Sequence, residues 1–212
     1  MVSEKCAYCG KKKGKRECPA LGGKICSRCC GEHRGVNISC PPDCRYFQKH
    51  ENFQQSKQAE SYRETWVEKN EDILKDKDRN LIEAIGILET LIYYRYVEDT
   101  TLTDQQIIRG LQGLENQLKT IELPGSPSDF ADFAHEELKP LIDKEKVSRS
   151  TLKQATSRLI PIAESFSDDS RRLVQGIVGR VKQDYDLPDD ESGQPAENIE
   201  SLITTPGDIQ RR

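Results

Sequence analysis

Cys6-Ala7-Tyr8-Cys9-Gly10 and Cys26-Ser27-Arg28-Cys29-Cys30-Gly31 are the stretches that decide how this chain must be read. Around them stand Cys18, Cys40 and Cys44, so all 8 cysteines lie within the first 44 residues and the remainder has none. Few large apolar residues accompany them: Tyr8, Leu21, Ile25, Ile38, Tyr46 and Phe47 are most of the supply. A segment so poor in apolar side chains needs a metal or cross-links to fold. Glycine and proline sit beside the cysteines, as in Cys9-Gly10, Cys18-Pro19 and Cys40-Pro41-Pro42. Such punctuation suits tight turns whose backbone amides face a thiolate.

Thiolates are soft donors that select zinc or iron–sulfur over hard cations. Eight of them divide into two four-ligand sites. Cys6 and Cys9 pair with Cys26 and Cys29 as the first, which leaves Cys18, Cys30, Cys40 and Cys44 for the second. Two Zn²⁺ per chain are the expectation, with an iron–sulfur cluster as the alternative metal centre. Disulfides or a redox-active Cys-x-x-Cys are the metal-free alternatives. One position is contested: Cys29 and Cys30 are adjacent, and His33 can take the place of Cys30. A catalytic zinc is disfavoured, because catalytic sites keep an open position and use histidine and carboxylate ligands, whereas this chain has only 3 histidines.

The interleaved order of the pairs resembles, in spacing, the cross-brace of treble-clef and HIT-type fingers. A closer resemblance is carried by Cys18-Pro19-Ala20-Leu21-Gly22-Gly23-Lys24-Ile25-Cys26-Ser27-Arg28-Cys29-Cys30-Gly31 followed by Cys40-Pro41-Pro42-Asp43-Cys44-Arg45-Tyr46-Phe47. This run resembles the motif of a family of bacterial cysteine-rich proteins, Cys-Pro-Ala…Ile-Cys-x-x-Cys-Cys-Gly…Cys-Pro-x-Asp-Cys-x-Tyr. The resemblance covers about 30 residues. It implies a bacterial metal-binding head, brings no activity with it, and favours Cys30 over His33.

Charge is divided along the chain. Residues 1–50 hold 11 Lys/Arg against 4 Asp/Glu, while the rest holds 21 against 32. Lys11, Lys12, Lys13, Lys15 and Arg16 form a basic loop that nucleic-acid phosphates would suit. Once eight thiolates and two Zn²⁺ are counted, however, the head falls to about +3, and aromatic support for base stacking is thin. A protein-facing role, through a partner or self-association, is the better expectation.

Beyond residue 50 the periodicity is helical. Residues 51–77 read as a lightly packed helical connector. Leu81, Ile85, Leu88 and Ile92 mark an amphipathic helix over 78–97, ending in the aromatic run Tyr93-Tyr94-Arg95-Tyr96, expected in core or inter-helix packing. Thr103 to Gln106 is a capping box. Ile107, Leu111, Leu114, Leu118 and Ile121 follow as a seam for another helix, in this chain or a second copy, halted by Leu123-Pro124-Gly125. Ser128-Asp129 and Ser148 or Ser150 open two more helices, which Pro140 and Pro161 should kink or end. Ser167-Asp168-Asp169 opens a fifth. The fold class expected is mainly α: a zinc-finger head over 1–50, the connector, a helical bundle over 78–186, and a disordered acidic tail over 187–212.

No phosphate-binding glycine loop and no nucleophile elbow occur, so a non-enzymatic adaptor is expected rather than an enzyme. The alternatives are a nucleic-acid-binding finger protein and a metal or thiol redox protein. No apolar run is long enough to span a bilayer and the first residues do not resemble a signal peptide. A cytoplasmic location, away from membranes, is the expectation.

Overall fold

In the computed structural model, residues 5–35, 37–41, 43–119, 129–167 and 171–185 are described. The chain divides into two compact units, Met1–Phe53 and Gln54–Arg212. It is mainly helical, with a small cysteine-bearing head at the N-terminal end.

In the head, Arg16–Cys18 (β1) pairs antiparallel with Gly23–Ile25 (β2), placing Arg16 opposite Ile25 and Cys18 opposite Gly23. A single 3₁₀ turn, Pro19–Leu21, joins them. The hairpin was not legible, because three-residue strands are too short to display a period. Ser27–His33 (α1) follows directly. The Cys26 sulfur caps α1 by accepting from the Cys29 amide at 3.5 Å. Among the described residues, Ile25 and Ile38 are the buried aliphatic side chains here, packed with Cys6, Cys18, Cys26, Cys29 and Cys30. The cysteines are therefore much of the head's interior.

Arg45–Lys69 (α2) is a long helix whose first turns belong to the first unit and the remainder to the second. Glu71–Asp76 (α3) completes the stretch expected as a lightly packed connector. That expectation is corrected. Gln55, Ala59, Tyr62, Trp66, Asn70 and Ile73 are all buried, and they recur at three- and four-residue spacing, as one face of a helix must. Tyr62, Trp66 and Ile73 mark part of that stripe in the sequence, with Trp66 expected to dock on the body; the two polar residues and the alanine hid the rest.

The second unit continues with Arg79–Glu98 (α4), Asp104–Gln117 (α5), Asp129–Asp143 (α6), Arg149–Phe166 (α7) and Arg172–Asp184 (α8). α4 packs on α7 and α8, and α5 on α6 and α7. The seam residues Ile107, Leu111, Leu114 and Leu118 are buried, so α5 is covered by helices of its own chain. Ile121 and the Leu123-Pro124-Gly125 stop lie outside the described residues. The aromatic run closes the α4 end: the Tyr96 hydroxyl accepts from Gln55 Nε2 at 3.0 Å, and Tyr93 meets Tyr94 edge to face.

The helix starts follow capping chemistry. The Gln106 amide donates to Thr103 Oγ1 at 3.3 Å and the Thr103 amide to Gln106 Oε1 at 2.9 Å. Ser148 accepts from the Thr151 amide at 3.0 Å. The start of α8 is different. Asp104, 2% exposed, reaches from α5 to accept from the Leu173 and Val174 amides, both at 3.0 Å. Arg171, in the left-handed region at φ 64°, donates to the Thr100 and Leu102 carbonyls. Asp168, Asp169 and the expected tail over 187–212 lie outside the described residues.

Pro140 and Pro161 were expected to kink or end their helices, but α6 and α7 run on past them. Each proline removes one intrahelical donor near the helix end. Buried Leu141 beyond the first, and Ile162, Ala163 and Phe166 beyond the second, hold the last turns in place.

α8 comes unusually close to α2. A Cβ on Gly179 would lie 2.1 Å from the Gln55 carbonyl oxygen, and one on Gly176 would lie 2.9 Å from Tyr62 Cβ. Beside this contact, Arg180 stacks on Trp66 with 4.5 Å to the ring centre. It also donates to buried Glu89 at 3.0 Å, which accepts a second hydrogen bond from the Tyr62 hydroxyl at 2.6 Å.

Candidate metal centre

The first site is assembled by three turns of backbone. The Gly10 amide donates to the Cys6 carbonyl at 2.8 Å and the Cys6 amide to the Lys12 carbonyl at 2.8 Å. Gly10 holds φ at +65°, which closes Cys6-x-x-Cys9-Gly at little steric cost. The Ala7 amide donates to the Lys24 carbonyl at 2.8 Å and ties this turn to the hairpin. Cys26 and Cys29 then enter from the start of α1, with the Cys26 amide donating to the Cys6 sulfur at 3.3 Å.

The result is that the sulfurs of Cys6, Cys9, Cys26 and Cys29 all lie within 4.8 Å of one another. A tetrahedral zinc with Zn–S of about 2.3 Å places its sulfurs about 3.8 Å apart. The four thiols thus stand at most about an ångström from the separations a single ion requires. All eight cysteines are free thiols.

Their electrostatics fit a cation. Burial pushes the Cys6 thiol up, but the Cys9, Cys26 and Tyr8 amides outweigh it and bring it down to about 6. The Lys12 and Lys11 amides hold Cys9 below the ordinary thiol value. Cys29 goes the other way, pushed up to about 12 by burial and by hydrogen bonding with Cys26, Cys9 and Cys6. The cluster ionises readily at one end and resists its last ionisation, as adjacent like charges must. A divalent ion removes that resistance.

The other four cysteines share a second locus. Cys18, Cys30, Cys40 and Cys44 line one cavity of about 10 Å³, together with Ile25, Ile38, Arg34 and Phe47. Burial raises the Cys40 thiol, and Cys44, Cys18 and Cys30 add to the rise. Among the described residues, the four sulfurs that come within 4.8 Å of one another are those of the first group.

Cys29 and Cys30, as neighbours on α1, point about 100° apart, and so face different clusters. His33 does neither. Its ring stacks on Tyr8 with centroids 4.4 Å apart, its Nδ1 pairs with Asn37 Nδ2 at 3.1 Å, and it is not among the residues lining the cavity.

The basic loop divides as well. Lys11, Lys12, Lys13 and Lys15 are exposed. Arg16 is part-buried and lies over the Tyr46 ring at 4.7 Å, with Arg45 also 4.7 Å from that ring. Arg34 was not singled out from sequence. It lies just past α1, and no spacing rule connects it to the cysteines. No helix among the described residues is long and apolar enough to cross a membrane. Comparison with protein-family models, with curated proteins and with solved structures found no match.

Proposed function

We propose that the chain is a zinc-stabilised, non-enzymatic module whose head serves as an adaptor or scaffold in protein interaction. The observation that carries the metal reading is the convergence of Cys6, Cys9, Cys26 and Cys29 within 4.8 Å. Four thiolates make a closed, soft ligand set, the kind used for structural zinc. An iron–sulfur cluster interposes iron and sulfide between its thiolates and suits this close spacing less. Two Zn²⁺ per chain are proposed, the second held by Cys18, Cys30, Cys40 and Cys44. Binding would supply about 10 kcal/mol of folding energy, which a head with two buried aliphatic side chains among its described residues lacks. The adaptor role is supported by Tyr8 and Leu21, large side chains left 40% and 37% exposed on the head.

Elemental analysis of the purified chain tests the metal. The expected result is about two zinc per chain, released by a strong chelator with loss of the head's fold. Iron in place of zinc, or a head that stays folded without metal, would overturn it.

A second reading, nucleic-acid binding, is supported by the exposure of Lys11, Lys12, Lys13 and Lys15. It predicts binding to an oligonucleotide that weakens steeply with salt, with a shallower salt slope when Lys11, Lys12 and Lys13 become glutamine. Binding absent at low salt would end that reading.

A further inference from the structure

We infer that Cys18, Cys30, Cys40 and Cys44 form a metal site of a different kind from the first, one that takes its zinc second and locks the first turn of α2 in place. The inference rests on the zinc reading of the head and adds an order of loading and a consequence for the backbone.

The four ligands come from four separate pieces of chain. Cys18 ends β1 and Cys30 lies on α1; both are buried. Cys40 follows the Ile38 turn, its amide donating to the Ile38 carbonyl at 2.9 Å. Cys44 sits at the start of α2, its carbonyl accepting from the Phe47 amide at 2.7 Å and the Gln48 amide at 3.0 Å. Cys40 and Cys44 are only part-buried. The site therefore has two ligands on its floor and two on a rim. The first site differs, since its sulfurs already converge.

A cation that must draw the Cys40 and Cys44 sulfurs inward spends part of its binding free energy on fixing those two side chains. Affinity at the second site is lowered by that amount, so the first site fills first. The cavity itself, at about 10 Å³ with Ile25 and Ile38 in its walls, admits one small ion and no larger ligand.

Arg34 is the independent sign of a charged occupant. Its Nη1 donates to the Tyr46 carbonyl at 2.8 Å, which anchors it to α2. Its Nε is buried with no hydrogen-bond partner among the described residues, and the side chain lines this cavity. A guanidinium donor left over at a ring of thiols is matched by a metal-bound thiolate, which stays ionised and accepts hydrogen bonds from outside the coordination shell. Its positive charge also offsets part of the −2 that four thiolates leave around Zn²⁺.

The first turn of α2 is then conditional on metal. With Cys44 ligated, the carbonyl that accepts from Phe47 and Gln48 is fixed to the hairpin and to α1. At limiting zinc the first site is loaded and this turn is released.

The test is a titration of the full-length, metal-free, reduced chain with Zn²⁺ against a chromophoric chelator, with hydrogen exchange read at each equivalent. Two steps of one ion each are expected, the second at least ten-fold weaker. The Phe47 and Gln48 amides should gain at least ten-fold protection with the second equivalent and not with the first. Cys44→Ser should remove only the second step, Arg34→Gln should weaken only that step, and His33→Ala should leave both unchanged.

A single unresolved step of two ions, full protection of Phe47 and Gln48 at the first equivalent, or two ions still bound by Cys44→Ser would each overturn the inference. Absence of a tight first step would instead refute the zinc reading beneath it.

Discussion

Gly179→Ala should destabilise the second unit, although alanine is the better helix former. The added Cβ would stand 2.1 Å from the Gln55 carbonyl oxygen and 2.6 Å from its carbon. Ordinary contact begins at 3.4 Å, so α2 or α8 must shift by about an ångström. The obstacle is backbone and cannot rotate away. Overpacking of this kind costs about 1–3 kcal/mol, and a backbone clash belongs at the top of that range. The gain in helix propensity returns about 1 kcal/mol, leaving a net loss of about 2 kcal/mol.

Gly86→Ala is the matched control. It is also inside a helix, but its Cβ would meet nothing within 4 Å, so the propensity gain of up to about 1 kcal/mol stands alone. Urea denaturation followed by Trp66 fluorescence reads the effect, because Trp66 is the single tryptophan and stacks on Arg180, the residue next to Gly179. The two substitutions should move the midpoint in opposite directions. A Gly179→Ala protein as stable as wild type would refute the claim that α2 and α8 touch through backbone.

Asp104→Ala leaves the Leu173 and Val174 amides buried and without their acceptor, and should cost about 2–4 kcal/mol in the same assay; Asp104→Asn, which keeps one acceptor oxygen, should fall between it and wild type. Glu89 offers a pH signature. Its carboxyl is held above the ordinary range by burial, with Arg180 and Tyr62 pulling against that. A raised carboxyl binds its proton more tightly folded than unfolded. The stability of wild type relative to Glu89→Gln should therefore rise as pH falls through the folded value, and level off below the unfolded value of about 4.3. A difference that stays flat, or shrinks on acidification, would reverse the sign of that argument.

What the sequence disclosed and what it hid separate by mechanism. Leu81 to Ile92 and Ile107 to Leu118 were legible because leucine and isoleucine carry the period themselves. The Thr103 capping box was legible because its partners are three residues apart. The buried stripe over 55–73 was legible only at Tyr62, Trp66 and Ile73, because Gln55 and Asn70 are polar and Ala59 is small. Asp104 gave no sign of its role, since its partners are some seventy positions away in α8. In the head, the Cys-x-x-Cys pairs pointed to the first cluster through local spacing, whereas Arg34 enters the second through the turn that follows α1. Nothing in a linear pattern connects a lone arginine to a cavity.

The doublet Cys29-Cys30 limits how the head can change in length. An insertion between Cys29 and Cys30 cannot be absorbed in a loop, because both lie on α1: one extra residue turns everything beyond it by about 100° and advances it 1.5 Å. Cys30 would leave its cavity, and the inserted residue would take its direction. The spacing between the two clusters along α1 is thus set by a single peptide unit, an interval that tolerates neither gain nor loss.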